Sequence, residues 1–511
     1  MPRVSHHPAR RAHPLLHPAG LRASGARAGR RHRGRRRGDL QRLFRAGGNL
    51  PPEELLMRQA DAPRIHDASL RILEEIGVRL EHDGIVARLL AAGAHAGPGA
   101  QEVRLPRAMV ADYLALAPRT VELAARDGAS VRLRPDGDTF YWTNPGLQML
   151  DADRVRDATS ADLAAVARLC DHLPHAQGVM GMAMADVPPP CRDFTGLRVI
   201  AEHTRKHARV LCFTPTGMQA LAEMGRVFPG PWYSIGFTAH GPLRWTALAL
   251  EIFHQSAGRG IPVTVNGEPM AGVTGPVTLA GAVAVGNAEI LAGIVVNQLL
   301  EPGRPVIYNL GLAHAFDMRH ATAITGGPEN VLFAAASAAL GRFYGLPSAS
   351  WVSTEAVCED EQAGLEKAIG FQAHAAAGVS LVWGLGQLES EKTMSLAQLV
   401  IDDEIIAYLD RGRRGFQVTD GEIAFDLIRE VGIAGSYLET DHTFQHFRAQ
   451  LFEPGVLNRR QREECPGPLP TVAAARAADI LAADTEEKTT PDQSAELRQI
   501  EAHYRQRLLG E

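Results

Sequence analysis

Residues 233–266 read YSIGFTAHGPLRWTALALEIFHQSAGRGIPVTVN, and this stretch decides the fold. Tyr233 to Phe237 and Pro262 to Asn266 are short apolar runs of the length a buried strand takes, and 243–258 carries the longer pattern of a helix. A strand, a helix and a second strand in close succession form a βα unit, because parallel neighbours need a crossover that a hairpin cannot supply. The same unit repeats on both sides. Further strands are expected at Thr139 to Thr143, Val179 to Ala183, Val210 to Phe213, Val306 to Asn309, Ser348 to Val352 and Ser380 to Gly384. The helices between them fall at 160–172, 194–206, 217–227, 276–300, 327–344 and 360–377. Eight strands alternating with helices close most economically into a (β/α)8 TIM barrel, an α/β fold, over 138–391.

An open doubly wound sheet is the alternative, and it would carry a glycine-rich phosphate loop after its first strand. Asn144, Pro145 and Gly146 make no such loop; Gly384 and Gly386 follow a strand, but Glu389 stands where the third glycine belongs. No nucleotide cofactor is expected. Before the barrel, 49–137 reads as a helical cap: Ile65, Ala68, Ile72 and Ile76 recur at helical spacing up to Gly77, a second helix covers about Ile85 to Ala92, Val103 to Leu105 is a short strand, and Pro106 opens another helix. After it, 392–511 reads as a C-terminal helical region.

Charge separates a tail from a body. Residues 1–48 contain 13 Arg, no Lys and one acid, Asp39, whereas 49–511 contain 40 basic and 57 acidic residues. The tail has no apolar periodicity and is expected to be a disordered basic extension; nucleic-acid binding and organelle targeting are the other uses of such a run, and no secretory apolar segment follows it. Cys170, Cys191, Cys212, Cys358 and Cys465 are odd in number with no C-x-x-C pair, which indicates free thiols, a reducing compartment and a cytoplasmic location. The apolar stretch Val273 to Leu300 contains Asn287, Glu289 and Asn297, so a buried helix is expected there and no membrane span.

In a barrel of this kind the chemistry sits at the C-terminal strand ends. The residues there are Tyr141, Trp142 and Asn144; Asp186; Phe237 and His240; Asn266 and Glu268; Tyr308, Asn309 and His314; Trp351 and Glu355; and Trp383. Tyr and Trp rings around one cavity hold a quaternary ammonium by cation–π attraction, although inward aromatics also simply fill barrels. His203 and His207 have the spacing of two metal ligands on one helix face, but no third ligand accompanies them, so no metal site is expected. In the acidic run Glu355, Glu359, Asp360 and Glu361, Glu355 is nearest the strand end; the others suit the start of the next helix.

Seven segments resemble, in order, the trimethylamine methyltransferase family: RIHDASLRILEEIGVRLEH, APRTVELAARDG, DVPPPCRDFTGLRVIAEHTRKH, PMAGVTGPVTLAGAVAVGNAEILAG, RPVIYNLGLAHAFDMR, DEQAGLEKA and IREVGIAGSYLETDHTFQHFR. The resemblance runs from about residue 52 to 460. It implies a barrel that passes a methyl group from a methylated amine to the cobalt of a corrinoid on a separate small protein. The trimethylamine enzymes carry pyrrolysine in the loop after the seventh strand; here Val357 aligns with it, just before Asp360 and Gln362 of the D-x-Q motif, so the chain resembles the non-pyrrolysine members, which include glycine betaine methyltransferases.

These expectations give each residue a role. Glu355 and His314 are the catalytic candidates. Tyr141, Trp142, Tyr308, Trp351 and Trp383 are to supply ring faces, Glu268 charge, and Asn266 and Asn309 polar contacts to the substrate; His442 is to close the mouth or meet the corrinoid protein. A carboxylate at Glu268 would repel a substrate carboxylate unless offset, so choline-like and carnitine-like compounds fit as well as a betaine. The expected partners are a small methylated amine and the corrinoid protein, with self-association compatible, and neither nucleic acid nor membrane. The competing readings are an amine-binding barrel without methyl transfer and a barrel lyase or hydrolase.

Overall fold

The computed structural model describes residues 57–510 apart from Asp153; the basic extension expected over 1–48 lies outside them. Eight parallel strands close a barrel: β1 Phe140–Thr143, β2 Gly178–Met180, β3 His207–Arg209, β4 Tyr233–Thr238, β5 Val263–Asn266, β6 Val306–Gly311, β7 Ser348–Trp351 and β8 Leu381–Leu385. Each pairs with the next in chain order, and β8 pairs with β1. The helices that follow the strands are α1 Ser160–His172, α2 Arg192–His203, α3 Pro215–Met224, α4 Ala247–Ser256, α5 Leu279–Leu300, α6 Pro328–Tyr344, α7 Glu361–Ala377 and α8 Leu396–Arg413. Local chemistry sets their ends: α1 starts in a capping box between Thr159 and Asp162, Asp360 caps α7, and Gly345 and Gly378 end α6 and α7 in left-handed conformation.

The third strand differs from its expected place. The apolar run Val210 to Phe213 pointed there, yet the strand is His207–Arg209 and buries both polar side chains. The paired-ligand spacing of His203 and His207 dissolves with it, since α2 ends at His203 and His207 belongs to β3. Helix α5 is long and apolar enough to cross a membrane, but it is packed inside the protein, with Asn287, Glu289 and Asn297 buried along it.

The segment before the barrel is mixed in structure. The helices Ala62–Arg71, Asp83–Ala91 and Arg107–Leu116 are joined by a sheet in which Val78–Leu80 pairs with Glu102–Arg104 and with Arg244–Trp245 beyond β4. A hairpin, Val121–Leu123 with Val131–Leu133, packs its apolar face against Trp142, Leu381 and Trp383, and so plugs the N-terminal end of the barrel. At the opposite end two small sheets rim the mouth. One joins Met270–Ala271, His314–Asp317 and Thr322–Ile324; the other joins Gln387–Leu388, Thr393–Met394, Gln148–Asp151 and Arg154–Asp157.

Candidate active site

Successive residues of a strand face opposite sides, which sorts the ring faces expected from sequence. Trp142, Trp351 and Trp383 share one apolar cluster with Ile307, Ala349 and Met180 inside the barrel. They stand in register on adjacent strands, Trp351 opposite Trp383 and Trp383 opposite Trp142, so the three indoles form one layer. Trp142 and Trp383 are 6.0 Å apart between ring centroids. The Asn330 amide on α6, oriented so that its oxygen accepts and its nitrogen donates, meets both the Trp351 indole N–H at 3.0 Å and the Trp351 carbonyl at 3.1 Å.

Tyr141 and Tyr308 do not belong to this layer. Tyr141 packs edge-on against Phe371 of α7, and Tyr308 donates to Asn287 of α5 at 2.8 Å. Both face the helices, as the pleat requires once Trp142 and Asn309 face inward. Phe237 likewise stacks on Phe253 of α4.

Below and beside the indoles lies a polar layer that sequence reasoning missed. His207 stacks on Trp142 at 6.1 Å across Gly178 of the intervening strand, where a Cβ would come within 3.0 Å of the Trp142 ring. Its Nδ1 lies 3.2 Å from the Ala124 carbonyl of the bottom hairpin, its Nε2 2.9 Å from Ser234 Oγ, and burial pulls its pKa down to about 3, so it is neutral. Arg209 donates from Nη2 to Thr264 Oγ1 at 3.0 Å, across Gly236 of β4, and from Nη1 to the Val210 carbonyl at 2.6 Å. Its guanidinium carbon sits 5.7 Å from the Trp383 ring centre. A charged residue just before an apolar run was the available sign that the strand begins earlier.

Toward the mouth, Asn309 Nδ2 donates to Asn266 Oδ1 and Asn266 Nδ2 to Thr238 Oγ1, both at 3.0 Å, so the two asparagines expected at the site are chained across three strands. Above them stand two half-buried carboxylates. Glu268 follows β5. Glu391 lies in a turn where Glu389, Ser390 and Glu391 all have positive φ (51°, 52° and 72°), a costly arrangement for residues with side chains. Backbone bonds from Glu389 to the Ala356 carbonyl and from Ser390 to the Thr354 carbonyl hold that turn. Glu391 accepts from Asn144 Nδ2 at 3.2 Å. Burial raises both carboxyls to about pH 7, and the charge of Glu391 adds to the effect on Glu268.

The two catalytic candidates have distinct surroundings. Glu355 spends Oε1 on the Thr325 N–H (2.5 Å), the Gly326 N–H (2.8 Å) and the Thr325 hydroxyl (2.9 Å). Thr325 in turn meets Ser353, which accepts from Gln387 Nε2 at 3.0 Å. Glu355 therefore pins the loop after β6 and, through it, the end of β8. His314 is buried on the first rim sheet; its Nδ1 faces the Leu312 carbonyl at 3.0 Å and so carries the proton. Burial lowers its pKa, which favours the neutral ring with Nε2 free to accept. His442 lies on the outlying helix Asp441–Gln450, ring to ring with His446.

Several buried polar atoms of this region have no hydrogen-bond partner among the described residues: Trp142 Nε1, Trp383 Nε1, Arg209 Nε, Asn144 Oδ1 and Gln387 Oε1. Unpaired groups at such depth are costly unless a ligand meets them.

Comparison with known proteins bears on the family and the fold. Residues 22–508 match the family model "Trimethylamine methyltransferase (MTTB)". The chain is 30% identical over 414 residues to the trimethylamine methyltransferase MttB of Desulfitobacterium hafniense, covering 78% of this chain and 83% of that protein. It is 31% identical to the MttB of Methanosarcina thermophila over 76% of this chain and 84% of that one. It is 29% identical to a glycine betaine methyltransferase of D. hafniense over 81% and 88%. Among solved structures, the monomethylamine methyltransferase MtmB of Methanosarcina barkeri superimposes with a TM-score of 0.50 at 12% identity, covering 88% of this chain and 86% of that one, a likeness of fold.

Proposed function

Because this chain belongs to the trimethylamine methyltransferase family and is a methyltransferase, we propose that it demethylates a quaternary amine and passes the methyl group to a corrinoid on a separate protein. The observation that carries this reading is the layer of Trp142, Trp351 and Trp383 lying beneath two carboxylates, Glu268 and Glu391, whose charge is available near neutral pH. Indole faces and carboxylates together suit a cation without a dissociable proton.

The corrinoid is a second substrate of this chain and supplies the nucleophile that accepts the methyl. As the methyl leaves, the electron pair of the C–N bond stays on nitrogen, so a quaternary ammonium departs as a neutral tertiary amine and needs no proton. The residues of the barrel therefore have to bind the cation, aim one methyl at the mouth and exclude water. Trp142, Trp351 and Trp383 supply ring faces; Glu268 and Glu391 supply charge; Asn266, Asn309 and His314 hold the polar remainder. Glu355 is a positioning residue that acts through Thr325 and Ser353. Val357, at the pyrrolysine position, is 61% exposed at the loop surface and offers no electrophile, in keeping with a substrate that requires none.

Calorimetric titration with glycine betaine, carnitine, choline and trimethylamine, followed by addition of a reduced corrinoid protein while its absorbance is recorded, tests the proposal. Transfer from a quaternary amine supports it, and transfer from trimethylamine alone refutes it.

A further inference from the structure

We propose that Arg209 anchors a substrate carboxylate at the floor of the site, so that the amine is a betaine-type zwitterion held with its carboxylate inward and its methyl groups toward the mouth. The inference rests on the quaternary-amine reading above and narrows its substrate class.

Arg209 is a cation placed where cations are rarely left alone. It is 3% exposed, and burial draws its pKa down to about 9, which leaves it charged at neutral pH. Among the described residues no carboxylate reaches it: its partners are a hydroxyl, a backbone carbonyl and an indole face, and the titratable group acting on it is the thiol of Cys212. Its neighbour His207 is neutral. The guanidinium Nε is buried and has no acceptor among the described residues. Buried arginines are normally paired or bound to an anion, and this one is given room. A Cβ on Gly236 would fall 1.8 Å from Arg209 Nη2 and 2.3 Å from Thr264 Oγ1. The sequence thus keeps β4 bare at that point so that the side chain can lie across the lumen.

The rest of the lumen has the opposite sign. Arg209 reaches the level of Thr264, Asn266 lies two residues further along β5, or about 6 to 7 Å toward the mouth, and Glu268 and Glu391 lie beyond. Positive charge at the floor and negative charge at the rim orient a zwitterion one way. That orientation is the one the reaction needs, since a corrinoid borne by another protein approaches from the open end. It also weakens the objection that Glu268 would repel a substrate carboxylate, because the carboxylate is then held at the end of the lumen away from Glu268.

Titration of the full-length protein with glycine betaine, choline and tetramethylammonium tests the inference. Glycine betaine is expected to bind at least tenfold more tightly than the other two. Arg209→Gln is expected to weaken glycine betaine ten- to a hundredfold and to leave tetramethylammonium within about twofold, while Arg209→Lys recovers part of the loss. Thr264→Val, which removes the Nη2 partner and keeps the charge, serves if Arg209→Gln does not fold; it is expected to weaken glycine betaine selectively. Equal affinity for glycine betaine and tetramethylammonium in the unaltered protein would overturn the anchor and leave the aromatic cage standing. Failure of all three to bind would overturn the cage and the anchor together.

Discussion

The rim carboxylates make substrate affinity depend on pH, and the sign follows from the direction of their shift. Glu268 and Glu391 are raised from 4.5 to about 7, so the free protein holds protons near neutrality that the unfolded chain has already released. Their burial therefore costs stability progressively as pH rises from 4.5 through 7. A bound ammonium reverses that cost by favouring the charged form. For one carboxylate titrating at about 7 that must ionise to bind the cation, Kd falls about tenfold between pH 6 and pH 8, or about 1.4 kcal/mol. Two such groups that both ionise, titrating independently at about 7, give about a hundredfold, and their mutual repulsion steepens the dependence by holding the second proton to higher pH. Titration of a quaternary amine in buffers of differing ionisation enthalpy gives both the affinity and the protons released, with release approaching one per participating carboxylate at pH 6 and zero at pH 8. Glu268→Gln or Glu391→Gln should reduce the slope, and the double variant should flatten it. A Kd constant within about twofold from pH 6 to pH 8, with no proton release, would refute the argument.

Other expectations follow from the same geometry. Trp383→Ala should weaken tetramethylammonium binding by about 0.5 to 2 kcal/mol, read by calorimetry, whereas Tyr141→Phe and Tyr308→Phe, which alter outward-facing rings, should leave it unchanged. Lys367 and Asp402 form a fully buried ion pair at 3.1 Å that also binds the Gly384 carbonyl and the Gly386 N–H; Lys367→Ala should cost about 3 to 5 kcal/mol in denaturant unfolding, and an unchanged midpoint would contradict that role. Between residues 414 and 457 Phe416, Leu438 and Phe444 are each 80% exposed and Ile433 fully so, with Phe425, Phe447 and Leu451 alongside. Together these side chains leave on the order of 1,000 Å² of apolar surface open within one stretch of the chain. A second copy of the chain is the expected cover, because the proposed corrinoid protein, which would have to come and go, suits a smaller and more polar contact. Light scattering should give a multiple of the monomer mass, lost in Ile433→Asp with Phe444→Asp; a monomer in the unaltered protein would exclude it.

The barrel was legible because its signal is repetitive: eight short apolar runs alternate with seven longer amphipathic stretches, and a displaced boundary in one leaves the topology unchanged. The site was less so. Tyr141 and Trp142 are adjacent on one strand and cannot both face inward, so composition at the strand ends overstates the cage while period-two alternation corrects it. His207 and Arg209 escaped because burial of polar side chains inverts the usual pattern, and the apolar run that followed drew the strand three residues too late. Glu391 was beyond reach for another reason: three consecutive left-handed residues bring it to the mouth, and nothing in the sequence of a non-glycine turn announces that conformation.

What unites these misses is that the lumen is polar where the sequence reads as core. A protein that only filled its barrel would place aliphatic side chains opposite Gly236 and Gly178; this one uses both glycines to let an arginine and a histidine cross the interior beside two tryptophans. The energetic cost of such a layer is substantial, since Arg209 Nε and two indole N–H groups find no acceptor among the described residues. Substrates that need protonation or an electrophile to leave would demand a reactive group in that space. A quaternary amine, the substrate proposed, does not, and the barrel interior would then be free to be given over to recognition, with its charge graded from a cation at the floor to carboxylates at the rim.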